Sequence, residues 1–110
     1  MRGRWTNELT VENVKDANDN PSGGMVRSVG VMIDWQNGPL GRGADKKAAS
    51  GAFVEDIVLA AIQRLQFFQD SKFKCRHNAL AITKLEEALF WLEARHDERE
   101  ARGVQGDHKV

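Results

Sequence analysis

Two rows of apolar residues dominate the second half of the chain. Val54, Val58, Ala61, Leu65 and Phe68 recur in alternating steps of four and three, and Ile82, Leu85, Leu89 and Leu92 do the same. That spacing puts each row on one face of an α-helix, where it must pack against something. The stretch between the rows, Gln69-Asp70-Ser71-Lys72, is short and polar. Short connections make sequential helices antiparallel neighbours, so the pattern predicts a helical hairpin. Ser50 suits the N-cap of the first helix, with Glu55 and Asp56 favourably placed in its first turns, and Asp70 or Ser71 suits the cap of the second. Gly103 is the expected stop, behind a C-terminal part that holds Arg95, Arg99 and Arg102. Phe53, Ile57, Ile62, Phe67, Leu80 and Trp91 lie off the two rows. That is more apolar surface than one hairpin can bury, which predicts oligomerisation through a second helix face.

The row on the second helix is not aliphatic throughout. Extended backwards from Ile82 it reaches Asn78 and then Cys75; beyond Leu92 a neighbouring row passes through Arg95 and Arg99. A polar group at such a seam is hydrogen-bonded or costs roughly 1–3 kcal/mol. Spacing alone leaves two readings open. Either Asn78 fixes helix register while the arginines are solvated at the helix end, or these groups serve a ligand.

Ahead of the hairpin the periodicity changes to two. Trp5, Leu9 and Val11 share one parity and Thr6, Glu8 and Thr10 the other, which suits a strand over residues 4–14. A dense turn cluster follows over 15–24, and strand character resumes over 26–35 with Val29, Val31, Ile33 and Trp35 on one face. An antiparallel pair results, marginal by itself in water and in need of an apolar partner. Residues 36–50 read as a loop punctuated by Gly38, Pro39, Gly41 and Gly43. A phosphate-binding loop needs Gly-Lys-Ser/Thr at a helix start, whereas Gly43 precedes Ala44 and Asp45. The loop is then either a connector or a lid that brings Arg42 over an anion. The expected fold is α+β in one domain: a small antiparallel β region and Gly-rich loop over 1–49, the helical hairpin over 50–102, and a tail over 103–110.

Composition narrows the function classes. Sixteen Lys and Arg balance sixteen Asp and Glu, so the formal net charge is zero. That argues against a nucleic-acid partner, which calls for concentrated positive charge, but leaves room for a small anion held by a few arginines. The single cysteine, Cys75, excludes an internal disulfide and suits a reducing cytoplasm; its position points to a buried small thiol. No run approaches the ~20 apolar residues of a membrane span, and residues 1–5 lack the apolar stretch of a signal peptide. A cytoplasmic protein with no membrane partner is the expectation. Cys75, His77, His96 and His108 are not spaced to hold a metal, Cys75 has no base nearby in sequence, and Glu86 and Glu87 read as surface charges. No metal, cofactor or catalytic function is expected.

A series of short motifs adds a resemblance. Trp35-Gln36-Asn37-Gly38-Pro39-Leu40-Gly41-Arg42 is followed by Gly51-Ala52-Phe53-Val54-Glu55-Asp56 and Arg64-Leu65-Gln66-Phe67-Phe68-Gln69. Then come Ser71-Lys72-Phe73, Cys75-Arg76-His77-Asn78-Ala79-Leu80-Ala81-Ile82, Leu85-Glu86-Glu87-Ala88-Leu89 and Arg99-Glu100-Ala101-Arg102-Gly103-Val104. In this order they resemble a family of small phage proteins built on one helical-hairpin domain, the anti-Thoeris and anti-CBASS sponges, the former most of all. The likeness starts near Trp35. It implies a non-catalytic protein, assembled as a homodimer or homohexamer, that sequesters nucleotide immune messengers without cleaving them. Those messengers are cyclic ADP-ribose isomers and, in some members, cyclic oligonucleotides. Carried onto this chain, the messenger-binding residues are Arg42, Phe68, Asn78 and Arg95, with Arg99 nearby. The family often has Tyr where this chain has Phe68, which keeps a stacking face and loses a hydroxyl. The chemistry suits such a ligand: Phe68 offers a face to adenine, Asn78 a donor and an acceptor to its edge, and arginine forks match pyrophosphate. The competing reading is a structural or adaptor protein whose hairpin only oligomerises.

Overall fold

In the computed structural model, residues 2–103 are described, and they form a three-stranded antiparallel sheet followed by two packed helices. The expected tail falls mostly outside these residues. The chain divides into two compact units, one ending at Phe53 and the other spanning Val54–Gly103.

The sheet runs β1 (Thr10–Lys15), β2 (Pro21–Ser28) and β3 (Val31–Asp34), in that order across it. Val11 pairs with Val26 and Val26 with Ile33, an apolar line across all three strands, and Val26 is the best-covered side chain of this unit at 9% exposure. The pattern predicted two strands where there are three. The apolar run over 26–35 is broken at Val29-Gly30, where Gly30 takes φ +77° and closes a two-residue turn between Ser28 and Val31. The first strand is also shorter than expected. Gly3 N donates to Thr6 Oγ1 at 2.8 Å, so a local turn competes with the ladder and Trp5 stays exposed. The predicted turn cluster contracts to 16–20, where the Asp16 carboxylate accepts from Asn18 N at 2.8 Å and Asn20 N at 3.0 Å.

The helices are α1 (Val54–Gln69) and α2 (Arg76–Ala101). Between them the half-buried row is wider than the aliphatic pattern suggested. Val58, Ala61, Ile62, Leu65 and Phe68 on α1 face Asn78, Ile82, Leu85, Leu89, Leu92, His96 and Arg99 on α2. Ile62, which narrow heptad spacing sets aside, is the most buried residue of the hairpin at 5% exposure. Two contacts show that the helices are antiparallel. At the turn end the Gln69 carboxamide closes a ring with Cys75, accepting from its N at 2.9 Å and donating to its O at 3.0 Å. At the open end His96 Nε2 lies 2.8 Å from Glu55 Oε2.

The caps differ from expectation. Ser50 does not cap α1; its hydroxyl accepts from Asn37 N at 3.2 Å, and α1 begins four residues later. Cys75, not Asp70 or Ser71, caps α2, its sulfur accepting from Asn78 N at 3.4 Å. The thiol is therefore exposed rather than buried. Ser71 instead donates to Phe68 O and accepts from Phe73 N, work that holds the turn. Helix α2 ends as expected, with Gly103 at φ +73°.

Candidate functional site

Each end of the hairpin seam is polar, and the two ends differ in kind. At the turn end stand Phe68 in the last turn of α1 and Asn78 in the first turn of α2, both half-buried. Helical phase puts Asn78 in the seam because it continues the Ile82–Leu89 row backwards. Its carboxamide has no hydrogen-bond partner among the described residues, although its backbone N–H is committed to the cap. Phe68 belongs to an aromatic group that spacing alone did not flag. Phe67 meets it edge-on with ring centroids 5.9 Å apart, and the Arg64 guanidinium lies 4.9 Å from the Phe67 centroid and 5.0 Å from that of Phe68. Positions three and four apart share a helix face, so Arg64 adds a cation to the turn end that could have been found by asking which residue precedes Phe68 by one turn.

At the open end the seam passes through His96 and then Arg99, with Arg95 on the exposed flank. A step of four from Leu92 gives His96 and a step of three gives Arg95; hydrophobicity cannot choose between two polar residues, and Glu55 across the hairpin decides. Because a carboxylate only accepts, His96 Nε2 carries the hydrogen of this bond. Glu55 is the better covered of the pair, at 22% side-chain exposure against 43% for His96. Glu55→Ala should therefore cost the hairpin about 1 kcal/mol. A fall of several degrees in the thermal midpoint, absent when His96 has already been replaced by Ala, is the result that checks it.

Arg95 projects from α2 with its guanidinium unpaired among the described residues, whereas Arg99 is half-buried. Arg42 belongs to the other unit. It is exposed and stands just before a single 3-10 turn, Gly43–Asp45, inside the loop that follows β3. The hairpin thus brings Phe68 and Asn78 to one end of a helix pair and places Arg95 and Arg99 towards the other.

With this arrangement in view, comparison with known proteins is decisive. The chain matches the Acb2/Tad1 hairpin domain over residues 28–95, more than half of its length. It belongs to the Acb2/Tad1 hairpin family. The matched span covers β3, the loop, α1 and most of α2, and includes Arg42, Phe68, Asn78 and Arg95 but not Arg99. The chain is also similar to the protein called Thoeris anti-defense 1 of Bacillus phage SBSphiJ7, with 51% identity over 79 residues, 72% of this chain and 53% of that protein. It therefore spans about half the length of this relative. No helix of the described residues is long and apolar enough to cross a membrane.

Proposed function

We propose that this protein counters bacterial Thoeris defence by binding and sequestering a cyclic ADP-ribose isomer, without cleaving it, in the cytoplasm of the infected cell. The observation that carries this reading is the match to a phage protein named for opposing Thoeris, at 51% identity. The hairpin supplies fitting chemistry. Phe68 and Asn78 offer a stacking face and a carboxamide for adenine, Arg95 and Arg99 offer forks for the pyrophosphate, and Arg42, outside the hairpin, is a further fork of the same kind. Cyclic di- and trinucleotides, built of the same parts, are the second ligand class in this reading. A thermal-shift screen over cyclic ADP-ribose isomers and cyclic oligonucleotides tests it. A ligand present at a hundred times its Kd should stabilise the fold by about 2.7 kcal/mol. An adaptor protein that only oligomerises would melt at the same temperature with every ligand.

Assembly into a homodimer or homohexamer is part of the proposal, and it rests on exposed apolar surface. Val26 and Ile62 are the buried apolar side chains among the described residues. Trp91 and its edge-on neighbour Phe90 are 64% and 61% exposed and Ile57 is 36% exposed, while Phe53 is already half-covered within the chain. Aromatic surface of that extent on a helix flank is typical of an interface. Light scattering at micromolar concentration should show a dimer or hexamer, and Trp91→Glu should shift the mass downwards; a wild-type monomer would remove the assembly.

A further inference from the structure

The stems of the loop that carries Arg42 meet at a junction to which the Gln36 side chain contributes three hydrogen bonds. Just past β3 the backbone of Trp35 bridges that of Ala52 in parallel. Ala52 N donates to Asp34 O at 2.7 Å, and Gln36 N donates to Ala52 O at 2.9 Å. The Gln36 side chain turns back into the gap between these stems. Its Oε1 accepts from Ser50 N at 2.7 Å and from Gly51 N at 3.2 Å, while its Nε2 donates to Gly38 O at 3.2 Å. Beside it, Asn37 N donates to Ser50 Oγ at 3.2 Å, and Ser22 Oγ of β2 donates to Asn37 Oδ1 at 3.0 Å. The stems lie so close that a Cβ on Gly51 would stand 2.5 Å from Asp34 O and 2.6 Å from Trp35 C, both backbone atoms that cannot give way.

Within the closed ring, Lys47 N donates to Leu40 O at 2.6 Å and Asp45 N to Arg42 O at 3.1 Å. A loop pinned in this way is compact and held at both stems. Internal hydrogen bonds of this kind lower what binding must spend on fixing Arg42.

We infer that Gln36 is the positioning residue for Arg42: it never needs to touch the ligand, and it acts by holding the two stems of the Arg42 loop together. This rests on the reading of Arg42 as a ligand contact. Gln36→Met keeps the length of the side chain but leaves the Ser50 and Gly51 N–H groups without their acceptor, and Gly51→Ala damages the same junction from the other stem. Gln36→Glu keeps the accepting oxygen for Ser50 N and Gly51 N but sets a carboxylate oxygen against Gly38 O where a donor stood.

The test measures affinity for a cyclic ADP-ribose isomer by titration calorimetry, together with hydrogen exchange of the 38–50 amides and the thermal melt of the helices. Gln36→Met and Gly51→Ala should speed exchange across 38–50, leave the helical melt in place, and weaken binding about tenfold. Gln36→Glu should bind more tightly than Gln36→Met and less tightly than wild type. In an Arg42→Ala background Gln36→Met should cost nothing further, because the two residues act through one contact. The inference is overturned if Arg42→Ala weakens binding while Gln36→Met does not, or if their losses simply add. If Arg42→Ala binds like wild type, the assignment of Arg42 itself falls, and that of Gln36 with it.

Discussion

Arg95→Glu should abolish messenger binding and leave the fold standing. Arg95 lies on the exposed flank of α2 and makes no ion pair among the described residues, so its replacement frees no buried partner. Arg and Glu have similar helix propensities, and the unfavourable charge near the helix C-terminus costs only about 0.3–1 kcal/mol. Against a pyrophosphate the same change is severe. Charge-assisted hydrogen bonds of about 1.5–3 kcal/mol each are lost and a carboxylate is set against the phosphates. Affinity should fall by at least about a hundredfold, since every 1.4 kcal/mol is a factor of ten. Calorimetric titration beside a circular-dichroism melt checks this: binding near wild type would remove Arg95 from the site, and a collapsed melt would show that the residue serves the fold instead.

A second large effect follows from distance. At 1.5 Å of rise per residue, Asn78 and Arg95 on α2 are roughly 25 Å apart, and a molecule the size of ADP-ribose spans about half of that. One chain cannot offer both groups to one ligand. Phe68 sits with Asn78 at the turn end, while Arg95 and Arg99 lie towards the other end of α2. A two-fold dimer with hairpins packed head to tail would juxtapose the base-reading end of one subunit with the arginine end of its mate, giving two equivalent sites. Asn78→Ala and Arg95→Glu homodimers should both be inactive. Mixed and allowed to exchange, they should form heterodimers with both lesions in one site and neither in the other. Titration should then recover about one functional site per heterodimer, and a mixture that binds no better than its parents after verified exchange would show that the site is not shared.

Much of the fold was legible because spacing carries it. The steps of four and three through Val54–Phe68 and Ile82–Leu92 specify two helices and their facing sides, and the short polar stretch after Phe68 makes them a hairpin. Alternation marked the β region, but the third strand was hidden because the apolar run continues on both sides of Val29-Gly30, a turn too short to interrupt the pattern. Ile62 was hidden by breadth: the packed stripe takes in the position beside the narrow seam as well. The polar features were least legible, since their places depend on partners distant in sequence. His96 enters the seam because Glu55 waits across the hairpin. Ser50 is drawn away from helix capping by Asn37 and Gln36. Gln36 itself lies inside a recognisable motif, yet nothing in the spacing says that its carboxamide closes the loop.

The central claim is that the protein holds a messenger and returns it unchanged. The direct measurement incubates the protein with a cyclic ADP-ribose isomer, separates the complex from free ligand, denatures it by heat and identifies what is released by mass spectrometry. Intact messenger in stoichiometric amount, able again to activate its receptor, is the result this account predicts; released fragments of the messenger, or a complex that carries no messenger at all, would contradict it.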